Sequence, residues 1–495
     1  MSEHLPVLLV VVPLLAAPVA ALVPRPRLAW AITVGAAGWA LYAATGLLGR
    51  VMEEGVIRYE LGGWSPPLGI EYRVDAVNAW VILIVATIGA ITALYALRSV
   101  ERELERDRIP LFYAAFILCM TGLLGIAVTG DVFNVFVFLE ISSLSAYGLI
   151  AMGQDRRALT SSYQYLIMGS VGATFIVIGI GLMYGMTGTL NMMDLAERLP
   201  AVMDTRTIPV AFAFLTVGFS LKLALFPLHL WLPNAYTFAP STVTAFIAST
   251  ATKVAVYMML RFFFTVFGAA FAFDVMNVDM ILLPLSLVAI FSMSLVAIYQ
   301  DNAKRLLAYS SVAQIGYMVL GISFATVMGL TAGIIHLFNH ALMKAVLFMA
   351  LGAVFYRVGS VELEAMRGLG KRMPWTMGAF VAGGLSLIGV PLTVGFISKW
   401  YLITGALEKG WWPVAVLVLI TSLMAVIYVW KVIEVAYFHE FPGSEDDDGA
   451  LEAPLALLIP TWALVFVNVY FGVDASLTSR IAGDAARILL GEGAP

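Results

Sequence analysis

Residues 208–264 decide how this chain folds: IPVAFAFLTVGFSLKLALFPLHLWLPNAYTF (208–238) runs straight into APSTVTAFIASTATKVAVYMMLRFFF (239–264). Each part is long enough to cross a bilayer, for which about 20 apolar residues suffice. Each also carries one lysine near its middle, Lys222 and Lys253. A cation at the bilayer centre costs roughly 2.5–3.5 kcal/mol on insertion scales, so both lysines are functional candidates. Pro227 and Pro233 follow Lys222. Each lacks the N–H that would bond the carbonyl four residues earlier, those of Leu223 and His229. Irregular backbone at membrane depth survives only inside protein or beside a water-filled cavity. The stretch reads as a broken helix lining a polar path, hinged between Asn234 and Pro240.

The whole chain fits that reading. Of its 495 residues 61% are hydrophobic and 12% charged, where a soluble protein carries about 25% charge. This composition makes it an all-α polytopic membrane protein. A net charge of −4 gives no basis for a nucleic acid partner. The single cysteine, Cys119, cannot by itself bind an iron–sulfur cluster or form an internal disulfide, so electron transfer within the chain is not expected, nor any cofactor. The N-terminal stretch lacks a basic n-region and reads as the first spanning helix rather than a signal peptide.

Hydropathy predicts about fourteen spans: 5–24, 28–49, 74–97, 110–129, 131–153, 160–187, 208–236, 239–266, 276–300, 303–322, 325–356, 374–407, 411–438 and 452–473. The connections are short, the longest polar ones being 50–73, 98–108, 357–372 and an acidic one at His439–Glu452. The amphipathic tail 475–490 is expected along the membrane surface. Basic residues in alternate connections number fourteen on one side, Lys304 among them, and nine on the other, Arg261 among them. The richer side is predicted cytoplasmic and both termini outside. The 28 basic residues less these 23 leave five inside spans, all lysine: Lys222, Lys253, Lys344, Lys399 and Lys431. Lysine can lose its proton when desolvated, whereas arginine stays charged, so the choice suits a proton relay.

Three constellations carry that chemistry. Glu140 lies nine residues beyond Asp131, about 13.5 Å of helical rise, which places it near mid-membrane with Lys222 as the nearest cation by depth. The pair would titrate as one unit; a static ion pair holding two helices in register is the other reading. His336, His340 and Lys344 recur at i, i+4 and i+8 on one helix face. Histidines at i, i+4 can bind zinc, but no acidic or cysteine ligand accompanies them, so a hydrated proton path fits better and no metal is predicted. The span 374–407 repeats the design of 208–236: Gly389, Pro391 and Gly395 interrupt it before Lys399. Paired interrupted helices mark the site of a transporter. His229 is an accessory candidate that joins the file or fills the gap left by Pro227, and Lys304 is another. Lys431 and Glu434, at i, i+3, read as a pair within their helix, with Lys431 near enough to the end to snorkel. Asp131 and Asn134 read as a helix cap.

FVFLE at Glu140, SLKLALFPLHLWLPNAY, ATKVAVYMMLR, NAKRLLAYSSVAQIGYM, HLFNHALMKAVLF and GVPLTVGFISKW, in that order, resemble the proton-translocating antiporter-like subunits of respiratory complex I, membrane-bound hydrogenases and Mrp-type cation/proton antiporters. The resemblance implies fourteen helices with two inverted five-helix repeats, broken helices 7 and 12, and a central axis of Glu140, Lys222, Lys253, His336, His340 and Lys399. It also implies a division into 1–109, 110–266 (helices 4–8), 267–440 (helices 9–13) and 441–495. YELGGWSPPLGIEYRVD (59–75), TGTLNMMDLA (187–196) and FISKW with Lys399 are similar to the D-type Mrp subunit; Lys399 argues against the middle antiporter-like subunit of complex I, while the quinone-adjacent one stays open. The implied role is proton movement in an Mrp-type Na+/H+ antiporter, in the cell membrane of a bacterium or archaeon, beside subunits of A, B, C, E, F and G type. A redox-driven proton pump and an inert membrane scaffold are the alternatives.

Overall fold

The computed structural model describes residues 2–441 and 451–492, so the middle of the acidic connection lies outside the described residues. In chain order come α1 (Leu5–Leu22), α2 (Pro26–Glu54), a hairpin of β1 (Ile57–Glu60) and β2 (Glu71–Val74), α3 (Ala76–Glu103), α4 (Ile109–Val128), α5 (Val132–Ala151), α6 (Arg157–Thr187) and α7 (Met192–Arg198). Then follow α8 (Thr207–Leu223), α9 (Trp231–Phe238), α10 (Ser241–Leu260, wound on to Val266 as a π-helix), α11 (Asp279–Ile298), α12 (Ala303–Ser323) and α13 (Val327–Val358). The last are α14 (Leu369–Arg372), α15 (Pro374–Ile388), α16 (Val394–Glu408), α17 (Trp412–Phe438), α18 (Leu455–Val473) and α19 (Ser476–Leu490).

Twelve of these helices are long and apolar enough to cross a membrane. The other two predicted spans are the interrupted pairs α8/α9 and α15/α16, which brings the described residues to the fourteen segments expected. Within the spanning windows of α10 and α12, 94% of residues are buried, against 39% for α6, α11 and α17. The lysine-bearing α10 is therefore at the centre, and α6, α11 and α17 face outward over most of their length.

Two helix starts beside the site show local capping chemistry. Asp75 accepts from the Val77 amide at 2.9 Å and the Asn78 side chain returns to the Asp75 amide at 2.7 Å, a reciprocal capping box for α3. Asp131 caps α5 through the Asn134 amide at 2.7 Å, as its sequence position predicts.

The two breaks differ. Helix α8 ends at Ala224, whose φ of 59° is left-handed, and the Trp231 indole donates to the Leu221 carbonyl at 3.0 Å. Pro227 lies in the turn between α8 and α9, as predicted. Pro233 does not break a helix: it sits in the first turn of α9, where a backbone N–H has no helical partner anyway, and the His229 carbonyl bonds the Leu232 amide at 3.0 Å. Helix α15 ends at Gly389, φ 92°, and α16 begins after Pro391.

Two other expectations change. The tail helix α19 turns its apolar face, Ile481, Ala482, Ala485 and Leu489, into the protein against α13 and α3 rather than along a lipid surface. The connection 50–73 contains the antiparallel hairpin, with strands of four residues too short to show alternation in the sequence.

A Cβ at Gly395 would stand 1.8 Å from the Ser386 carbonyl, so only glycine lets the start of α16 reach the end of α15. Gly395→Ala should therefore cost about 1–3 kcal/mol by overpacking, read as a lower melting temperature of the detergent-solubilised protein. An unchanged melting temperature would mean that the two half-helices do not pack this tightly.

Candidate functional site

The predicted titratable residues fall on five central helices. Lys222, at the last turn of α8, is buried and donates to Ser143 Oγ of α5 at 3.0 Å; Glu140 Oε1 stands 3.9 Å away. The Glu140 side chain is 29% exposed at the edge of the molecule, and its Oε1 has no hydrogen-bond partner. A cavity of about 20 Å³, room for one water molecule or so, is lined by Lys222, Ser142, Ser143 and Tyr165, and across it by Ala251, Val254 and Ala255 of α10.

On α10, Lys253 is fully buried and its ammonium finds only the Ala248 carbonyl and, at 3.3 Å, the Thr252 hydroxyl. Facing it on α13, the rings of His336 and His340 are parallel with centroids 5.9 Å apart. His336 Nδ1 meets Ser398 Oγ at 2.8 Å while its Nε2 is unpartnered. Both nitrogens of His340 are buried without partners. Lys253 lies within electrostatic reach of both histidines and of Lys344, and Lys399 within reach of His336. Lys344 bonds the Leu307 carbonyl at 2.8 Å and the Ser310 hydroxyl. Lys399 donates to the carbonyls of Leu387 at 3.1 Å and Ile388 at 2.7 Å. Leu387 is four residues before Pro391, so the amine of Lys399 takes the place of the N–H that proline lacks.

Among the described residues no ion pair involves Lys253, Lys344 or Lys399, and no three His, Cys, Asp or Glu side chains cluster as a metal site. Amines and imidazoles whose partners are hydroxyls and carbonyls exchange protons without first breaking a salt bridge. The arrangement suits passage of protons one site at a time.

The accessory residues divide. His229 lies in the α8/α9 break, buried and stacked on Phe226, with Nδ1 unpartnered. Lys304 belongs to no exposed connection: it is buried in the first turn of α12 and bonds Ser241 Oγ at 3.2 Å and the Ala239 carbonyl at 3.3 Å. Beside it, buried Glu103 accepts from the Ser241 amide at 2.9 Å. Arg261, placed by sequence in a connection, is instead buried in an ion pair with Asp75 at 2.8 Å. Lys431 does not pair with Glu434, which is exposed; it binds Asp301 at 2.9 Å and caps the end of α11 through the Gln300 carbonyl at 3.0 Å. A carboxylate from the turn between α11 and α12, close to the α11 carbonyls, wins over the i, i+3 neighbour. Sequence reasoning misses Ser143, Ser310, Ser398 and Thr252. Ser143 is one turn from Glu140, and Ser398 and Thr252 adjoin their lysines, so proximity in sequence is the available signal.

Three comparisons with known proteins bear on this site. A family model described as "NADH:quinone oxidoreductase/Mrp antiporter, TM" matches residues 129–425, which contain every site residue from Glu140 to Lys399. The chain is 41% identical to the N-type subunit of an NADH-quinone oxidoreductase of Desulforudis audaxviator, over 96% of each chain. It is 30% identical to the D-type subunit of a Na+/H+ antiporter of Alkalihalophilus pseudofirmus, over 86% of this chain and 84% of that one. In three dimensions it matches a chain of the membrane-bound sulfane sulfur reductase, an archaeal respiratory membrane complex, with a TM-score of 0.90 and 31% identity over 98% of each chain.

Replacing Lys399 by Leu would orphan one buried carbonyl, Leu387, and one partly buried, Ile388, at a cost of about 1–3 kcal/mol for the buried one. The variant should therefore melt at a lower temperature than wild type. An inert scaffold predicts an unchanged or higher value, because a buried charge has been removed.

Proposed function

Because the chain belongs to the NADH:quinone oxidoreductase/Mrp antiporter family of membrane proteins, we propose that it is the proton-translocating subunit of a multisubunit Na+ (or other monovalent cation)/H+ antiporter. The observation that carries this reading is the file of buried titratable groups, Lys222, Lys253, His336, His340, Lys344 and Lys399, beside two interrupted helices, with only Lys222 near a carboxylate. Protons enter at the break between α8 and α9, pass from Lys253 through His336 and His340, and reach Lys399. The Glu140–Lys222 pair is the switch. At 3.9 Å it is close enough to share charge and open enough to separate, and separation exposes Lys253 to an uncompensated ammonium at Lys222.

The same reading places subunits of Mrp A, B, C, E, F and G type around the chain in a bacterial or archaeal cell membrane. It treats residues 110–266 and 267–440 as two inverted halves with one broken helix each. Removing Arg261 and Lys304 from the loop tally takes one from each side, so the bias that places both termini outside keeps its sign.

A second reading puts the same proton path in a redox-driven complex, and the 41% identity to the N-type subunit of an NADH-quinone oxidoreductase favours it. The two are separated by the colour and subunit composition of the complex gently solubilised from its native membrane. A colourless set of membrane subunits supports the antiporter. Flavin or iron–sulfur absorbance with soluble subunits supports the redox pump.

Both readings require the switch. Glu140→Gln and Lys222→Ala should each lower proton transport in sealed vesicles by about 10²-fold or more while the complex still assembles. Wild-type rates in both would rule the mechanism out.

A further inference from the structure

The proposed axis leaves two gaps, since no hydrogen bond joins Lys222 to Lys253 or Lys344 to Lys399 among the described residues. Both gaps are occupied by buried tyrosines. In the first half, Ser143, which holds Lys222, is one helical turn from Tyr147 on α5. The Tyr147 hydroxyl is buried and lies beside Ser143. A Cβ at Gly169 would stand 1.9 Å from that oxygen, so α6 keeps a glycine where the hydroxyl needs room. The ring of Tyr147 meets Tyr165 edge-on at 4.7 Å, and Tyr165 stacks flat on Trp231 of α9 at 3.9 Å. Tyr165 also lines the small cavity beside Lys222. Five residues beyond Trp231, Tyr236 is buried and lies beside Thr252, whose hydroxyl is 3.3 Å from Lys253 Nζ.

The second half repeats the arrangement with different residues. Lys344 bonds Ser310, and the buried hydroxyl of Tyr428 of α17 lies beside Ser310. Tyr317 of α12 sits between His336, ring to ring at 5.8 Å, and Lys399, whose Nζ lies 5.4 Å over its face. The Tyr317 hydroxyl exchanges a 2.7 Å hydrogen bond with Thr421. A buried tyrosine hydroxyl ordinarily finds a partner. For Tyr147 and Tyr428 the polar group at hand is a serine that itself holds a lysine, which puts each tyrosine next in line to that lysine.

We propose that tyrosine hydroxyls relay protons between the paired lysines: Tyr147, Tyr165 and Tyr236 from Lys222 to Lys253, and Tyr428 with Tyr317 from Lys344 to Lys399. The step balances without any other reactant. The ammonium of the donor lysine loses one proton, each hydroxyl oxygen takes up a proton on one side as it releases its own hydrogen on the other, and the neutral amine of the acceptor lysine gains one. Every tyrosine is neutral before and after, and one water in the cavity beside Lys222 completes the first link.

The inference rests on the proton-translocating function proposed above, and the test separates the two. The intact complex is reconstituted in sealed vesicles carrying Tyr147→Phe, Tyr165→Phe, Tyr428→Phe or, as control, Lys253→Met, and proton flux is followed with a pH-sensitive dye in H2O and D2O. Phenylalanine keeps the ring contacts and removes only the hydroxyl. Tyr147 and Tyr428 lose at most one contact with a serine hydroxyl by it, so their variants should still assemble, with melting temperatures close to wild type. The expected result is a fall of about tenfold or more in flux in each phenylalanine variant, with a changed ratio of rates in H2O and D2O, which a purely structural defect would leave alone. Flux within about twofold of wild type in Tyr147→Phe and Tyr428→Phe, with Lys253→Met inactive, overturns the tyrosine relay and leaves the proton axis standing. Wild-type flux in Lys253→Met overturns the axis itself. If Tyr165→Phe fails to assemble, the other two variants decide.

Discussion

A bilayer interior supplies no water to backbone groups or charges, so every interruption of a spanning helix must be satisfied from within the protein. This constraint connects the features of the site. Pro391 takes a donor from Leu387, and the amine that replaces it is a lysine from the next half-helix. At the other break Trp231 reaches back to the Leu221 carbonyl, which fixes α9 against α8 and carries the indole face on which Tyr165 stacks. The breaks are therefore the places where side chains that can donate, and in the case of lysine also exchange, a proton are required structurally. A proton path built along them uses groups that the fold already needs.

The energetics permit this with no carboxylate paired to Lys253, Lys344 or Lys399 among the described residues. Four lysines at membrane depth carry an insertion cost of about 10–14 kcal/mol in all. Lys222, Lys253, Lys344 and Lys399 make seven hydrogen bonds to hydroxyls and carbonyls. At roughly 1.5–3 kcal/mol for a bond to a charged group, those bonds offset the cost when the amines are protonated. When an amine is neutral the desolvation cost disappears along with part of the bond strength. Both states are then accessible, which an ion pair with a buried carboxylate would prevent by favouring one of them strongly.

The spans are legible in the sequence because twenty-residue apolar windows are a strong signal, and the breaks because proline and glycine punctuate them. Partner choice between helices distant in the chain is not written there. Arg261 and Lys304 look like loop residues by position, yet Asp75 and Glu103, 186 and 201 positions earlier, lie beside them in the fold. Glu434 looks like the partner of Lys431 because i, i+3 is the only geometry visible in one dimension. Pro233 looks like a break because the rule that tolerates proline in a first turn needs to know where the helix starts. The tail helix has the amphipathic pattern of a membrane-surface helix, but its stripe of alanines suits close helix packing as well. His336, His340 and Lys344 are legible as one face, and their neighbours Ser398 and Ser310 are not, since both lie on other helices.

Arginine and lysine divide the work within the same interior. Arg261 holds Asp75 through two 2.8 Å contacts and reaches Tyr257 at 3.3 Å, tying the end of α10 to the start of α3. A guanidinium does not release its proton at any accessible pH, so this pair fixes geometry and carries no proton. Lys253, Lys344 and Lys399 have the opposite character: neutral partners, an ammonium that can give up one proton, and a flexible stem that can turn between two acceptors. Lys222 stands between the two types, with a serine at 3.0 Å and a carboxylate at 3.9 Å. Movement of that amine from one to the other is what the proposed switch requires.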